Sequence, residues 1–136
     1  MRFIFIILLA VTVLNACVAT RDQAIAGASQ VELRSYQTRA FESSDKKKTM
    51  RSIISTLQDL NFVVDKADLD LGTITATKLS GYQIRMTVTV REKGENRLLV
   101  RANAQYNNRT IEEPGPYQDF FMALEKSMFL TAHAVD

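Results

Sequence analysis

Two segments of this chain alternate apolar and polar residues with a period of two. In the first, Tyr82, Ile84, Met86, Val88 and Val90 share one face, and Gln83, Arg85, Thr87, Thr89 and Arg91 share the other. In the second, Leu98, Val100, Ala102, Ala104 and Tyr106 alternate with Leu99, Arg101, Asn103 and Gln105. Successive side chains of a strand point to opposite sides. The pattern therefore predicts two antiparallel strands with one covered and one wet face. The polar run Glu92-Lys93-Gly94-Glu95-Asn96 joins them.

The period changes elsewhere. Met50, Ile53, Ile54, Leu57 and Leu60 recur at helical spacing, which predicts an amphipathic helix from about Asp45 to Leu60. Ser43-Ser44-Asp45 supplies N-cap residues and Asn61 a stop. Phe62-Val63-Val64-Asp65 starts a strand, Asp68-Leu69-Asp70-Leu71-Gly72 turns the chain, and Thr73-Ile74-Thr75-Ala76-Thr77 returns it. Ser80-Gly81 marks a further turn. Val31 to Glu42, with Leu33, Tyr36, Thr38 and Phe41, reads as an earlier strand. Asn107 to Pro116 reads as a loop, and Tyr117, Phe120, Phe121, Leu124 and Met128 make the apolar stripe of a last helix, about 117–132.

The expected order is β-α-β-β-β-β-α. One apolar stripe per helix and one apolar sheet face predict an α+β fold, a two-layer sandwich with a mostly antiparallel sheet and two helices on one face. The pattern leaves the place of the first strand open, with the sheet edge as the expectation. This order resembles small envelope domains of helix-grip type, including those of the lipoprotein in the outer-membrane barrel-assembly machine. The segments Thr56-Leu57-Gln58-Asp59-Leu60 and Leu71-Gly72-Thr73-Ile74-Thr75-Ala76-Thr77-Lys78 resemble a family of proteobacterial lipoproteins to which no activity attaches.

The N-terminus has a different character. Met1-Arg2 precedes an apolar run, Phe3 to Leu14. Its length suits a secretory h-region and falls short of the roughly 20 residues that span a bilayer. Leu14-Asn15-Ala16-Cys17 then closes it with the single cysteine of the chain. This string resembles the bacterial lipobox. The resemblance implies cleavage between Ala16 and Cys17, and diacylglycerol on the Cys17 sulfur. An ordinary secretory signal cut after Ala19, or a short uncleaved anchor, are the alternatives. Val18 in place of Asp, by resemblance to enterobacterial sorting, implies the outer membrane, with the protein facing the periplasm.

Domain organisation follows: a signal peptide over 1–16, a lipidated Cys17 with a small-residue tether over 17–30, and a single α+β domain over 31–136. Removing 16 of the 136 residues leaves 120, enough for a core without disulfides, and none can form within the mature chain. The net charge of +2 favours neither nucleic acid nor an acidic partner. The expected partners are the lipid bilayer, through acylated Cys17, and an envelope protein, with no nucleic acid.

Catalytic chemistry finds little to work with. His133 is the only histidine, near the end of the chain. No Gly-x-Ser-x-Gly elbow or phosphate-binding glycine loop is present in the sequence. Asp65, Asp68 and Asp70 could offer oxygen ligands to Ca²⁺, but their spacing misses an EF-hand loop and suits an ordinary turn. Glu112-Glu113 reads as a solvated pair. Lys46-Lys47-Lys48 opens a helix at the end that prefers anions, so it marks either a solvated face or a contact with anionic groups. No metal, no cofactor and no enzymatic activity are expected.

The polar sheet face is the candidate partner-binding surface: Gln83, Arg85, Thr87, Arg101, Asn103 and Gln105. Met122, Phe129 and Leu130 lie off the last helix's core stripe and offer a second patch. The expected role is a non-enzymatic adaptor or accessory subunit of a cell-envelope complex. The alternative is a module that binds a peptidoglycan fragment or lipid in a groove between helices and sheet.

Overall fold

A computed structural model describes residues 29–80 and 82–133. The chain divides into two compact units, residues 1–34 and 35–136. The expected leader, lipidation site and most of the tether lie outside the described residues.

The first described element corrects the sequence reading. Residues 29–37 are helical (α1), and only Thr38–Glu42 (β1) is strand. Leu33 and Gln37, four apart, are both buried, which is helical spacing. Leu33, Tyr36, Thr38 and Phe41 lie three, two and three residues apart, a mixture too short to separate period two from period 3.6. The helix α2 covers Lys46–Asp59. Its N-cap is Asp45, whose side chain accepts from the Lys48 amide at 2.8 Å. Asn61 at φ 65 ends it. The Phe62 amide donates to Leu57 O and the Asn61 amide to Gln58 O, which completes a Schellman cap.

Four strands then run as a meander: β2 (Val63–Asp68), β3 (Thr73–Ser80), β4 (Tyr82–Glu92) and β5 (Arg97–Tyr106). A two-residue strand, β6 (Arg109–Thr110), lies in the stretch expected to be loop. It pairs with the end of β5, Gln105↔Thr110 and Tyr106↔Arg109. The helix α3 follows over Gly115–His133. Pro116 in its first turn loses no hydrogen bond, because those amides lack helical partners anyway.

The sheet is wholly antiparallel, in the order β1-β5-β4-β3-β2. The α+β sandwich expected from the pattern is the fold observed. Both α2 and α3 pack on the apolar side of the sheet and against each other, α2 over β2–β4 and α3 over β5. Between the layers, Met50, Ile53 and Leu57 of α2 and Tyr117, Phe120, Phe121 and Leu124 of α3 are fully buried. They meet Ile74, Ala76, Met86, Val88, Val90, Leu98, Val100, Ala102 and Ala104 of the sheet. The small Ala102 and Ala104 make room for the aromatic side chains of the helix above them. Phe120 and Phe121 lie edge to face with centroids 5.1 Å apart. Arg39, on the helix side of edge strand β1, covers the Phe121 ring at 5.5 Å and bonds Glu125 at 2.9 Å. Its charge stays wet while its stem covers the core's rim.

The other edge, β2, carries a register shift between Val64 and Lys66. A bulge and a lysine both discourage edge-to-edge pairing.

Among the described residues, two buried hydroxyls make no hydrogen bond: Thr49 Oγ1 and Thr56 Oγ1, both on α2. Burial of such a group without a partner costs about 1–3 kcal/mol. Valine has the same shape and similar helix propensity. Thr56→Val is therefore expected to raise the unfolding free energy by about 1 kcal/mol, read from urea denaturation. A lower midpoint would mean that the hydroxyl is satisfied after all.

Candidate functional site

The register places the expected face residue by residue. Arg85 lies opposite Gln105, Thr87 opposite Asn103, and Thr89 opposite Arg101, so these side chains share one side of the sheet. Gln83 falls on the same side, two residues before Arg85 and opposite Leu79 of β3. All six candidates of the sequence reading therefore stand together. The face widens on both flanks. Thr73, Thr75 and Thr77 of β3 lie opposite Thr89, Thr87 and Arg85. On the other side Thr38 of β1 lies opposite Arg101.

The face is a shallow trough. An open hollow of about 580 Å³ runs over β4, β5 and β1, lined by Thr38, Thr87, Thr89, Arg91, Leu99, Arg101, Asn103 and Gln105. A smaller hollow of about 50 Å³ sits by Gln83, Arg85, Gln105, Asn107 and Asn108. Four of the trough residues fall outside the six candidates. Thr89, Arg91 and Leu99 were marked by the same alternation. Thr38 became visible only once β1 took its place beside β5. The hollow is open because both packed helices sit on the opposite side of the sheet.

Its electrostatics are lopsided. On this side β4 and β5 carry Arg85, Arg91, Arg97 and Arg101 and no carboxylate. Arg97 is paired with Glu42 of β1 at 3.0 Å. The side chains of Arg85 and Arg91 are exposed and make no hydrogen bond or ion pair with the described residues. Among the described residues Arg101 reaches only the neutral Gln37 Oε1, at 3.4 Å. Asn103 Oδ1 is covered and meets no donor.

Three of the remaining candidates take structural roles. Asp68 Oδ1 accepts from the amides of Asp70 and Leu71, so it builds the β2–β3 turn. Asp65 accepts from the Thr77 hydroxyl at 2.6 Å, across the bulge. No group of three or more potential metal-ligating side chains occurs among the described residues. Lys46 donates to the Asp70 carbonyl at 2.9 Å, which tethers the turn to the start of α2. Glu112 and Glu113 are exposed. Met122 and Phe129 are exposed on α3, and His133 is its last residue. No described helix is long and apolar enough to cross a membrane.

The sequence matches no family model and no curated protein.

Proposed function

We propose that this chain is a lipid-anchored envelope lipoprotein, held at the outer membrane through acylated Cys17 and facing the periplasm. There it acts as a non-enzymatic adaptor or accessory subunit of an envelope complex. The anchor supplies location, and the open sheet face supplies contact with a partner protein. One observation carries the reading of the domain: the centre of one side of the sheet is packed by helices, while the other side stays open and bears arginines unpaired among the described residues. A single acyl chain binds a membrane only marginally and two hold it firmly, so diacylglycerol suffices as an anchor.

The alternative reading, a module for a peptidoglycan fragment or lipid, calls for a concave apolar pocket between the layers. The side chains at the centre bury one another, and the hollows between helices and sheet are smaller, about 140 Å³ by Phe62, Ile84, Met86 and Pro116 and about 260 Å³ by Phe41, Thr49, Ser52 and Met128, than the hollow of about 580 Å³ on the polar side. That arrangement favours the adaptor.

Two experiments test the two halves of the reading. Cys17→Ser is expected to abolish palmitate incorporation and release the protein from membranes in fractionated cells; retention at the wild-type level would refute the anchor. Joint reversal, Arg85→Glu with Arg101→Glu, is expected to abolish partner pull-down and leave the melting temperature within a few degrees, since both side chains are exposed. An undiminished pull-down would remove the sheet face from the interface.

A further inference from the structure

We infer that the trough receives an extended acidic polypeptide segment of the partner, whose carboxylates meet Arg85, Arg91 and Arg101. The inference rests on the adaptor reading and adds the chemistry of the partner.

Charge is the first argument. Among the described residues, the strand carboxylates on this side of the sheet already have work within the fold. Glu42 pairs with Arg97, Asp68 holds the turn amides, and Asp65 takes the Thr77 hydroxyl. The three remaining guanidiniums thus face solvent with no acid among the described residues to neutralise them. Guanidinium binds carboxylate through two parallel hydrogen bonds, which makes arginine a specific receptor for that group.

Spacing is the second. Arg85 and Arg91 are six residues apart on β4, roughly 20 Å along the strand. Arg101 stands beside Thr89 on the neighbouring strand, between them. A compact anion would engage one of these positions at a time. An extended chain spans all three, with acidic side chains at intervals along its length.

The floor between them is the third. Thr87, Thr89, Asn103 and Gln105 present hydroxyls and amides that can both donate and accept. Asn103 Oδ1 has no donor, so its side chain gains a hydrogen bond by turning toward an N–H laid in the trough. An extended polypeptide supplies N–H groups together with carboxylates along one chain, whereas a single lipid headgroup is too short to span the row of arginines. This favours a peptide segment over a lipid headgroup.

The test uses the full chain in detergent and a fluorescein-labelled peptide of alternating Glu and Thr, against a Lys and Thr peptide of equal length. The acidic peptide is expected to bind, to weaken with added salt, and to lose at least tenfold in affinity to Arg85→Ala with Arg91→Ala. The corresponding lysine variants are expected to fall between, since they keep charge and lose the two-pronged geometry. Lys93→Ala, in the loop beyond β4, is expected to change nothing. Binding no better than that of the lysine peptide, or binding indifferent to the arginines, would overturn the inference. So would phosphatidylglycerol vesicles that bind through these arginines where the peptide does not. A photo-crosslinker at Thr87 in cells separates the two levels of the argument. Crosslinks to a protein segment rich in Asp and Glu support both. Crosslinks to a segment without them overturn the acidic partner and leave the adaptor standing. No protein crosslink removes the adaptor itself.

Discussion

Gly72→Ala is expected to destabilise the domain by about 2–4 kcal/mol, through left-handed strain and a lost ladder hydrogen bond together. Gly72 has φ +70, a conformation that costs a residue with a Cβ. Space is the larger difficulty. An added Cβ would lie 2.5 Å from the Val90 carbonyl oxygen and 2.7 Å from Lys46 Cε. The lysine end can move aside. The carbonyl is backbone of β4 and cannot move without disturbing the ladder. Gly72 O also accepts from the Val90 amide at 2.8 Å, so pushing the chains apart breaks that bond as well.

Gly94 provides the control. It has φ +73 and nothing within 4 Å of the added Cβ. Gly94→Ala should therefore cost only the conformational part, about 1–2 kcal/mol. The comparison is read as two denaturation midpoints under the same conditions. For a domain of this size the Gly72 variant should melt on the order of 10 °C lower or more. Equal losses at the two glycines would mean that the approach to Val90 is not the limiting contact.

Tyr117→Phe carries the second large effect, about 2–3 kcal/mol, with the ring itself retained. The Tyr117 hydroxyl donates to Ile111 O at 2.6 Å. It accepts from Gln37 Nε2 and from the Ala104 amide, each at 3.3 Å. These bonds fill a gap in the sheet. β1 pairs with β5 as far as Arg101, and β6 pairs with it from Gln105. Between them, the Ala104 amide has no strand partner and takes the tyrosine oxygen instead. Phenylalanine would leave that amide and the buried Gln37 amide without an acceptor. Chemical denaturation measures the loss. Amide exchange at Ala104 locates it, and is expected to speed up more than exchange at Ala102. Exchange unchanged at Ala104 would show that another group caps the strand edge.

The long alternation of β4 and β5 was legible because each runs for ten residues or more with one side covered. A slip of one position would have turned every apolar side chain to water, so the register was specified as well. The six face residues were grouped for the same reason. The helix α2 was legible through its stripe and its Asp45 cap. The helical stretch before β1 was not, because Leu33 and Tyr36, three apart, suit a helix while Tyr36 and Thr38, two apart, suit a strand, and so few residues do not decide between them. The strand β6 escaped notice because two residues carry no periodicity. Its pairing depends on the turn at Asn107 and Asn108, both at positive φ, which brings the chain back to β5.

Local chemistry in the chain thus determined the number of layers, which side of each long strand is wet, and the basic, carboxylate-free character of β4 and β5 on that side. Those properties depend only on the order of side chains along an element, so one sequence suffices to read them. Tertiary structure decided where β1 sits, and with it the flank of the trough formed by Thr38. It also decided that Glu42, Asp65 and Asp68 are occupied within the fold while Arg85 and Arg91 are left over. Pairing between residues far apart in the chain depends on which strands become neighbours, and no local pattern encodes that choice.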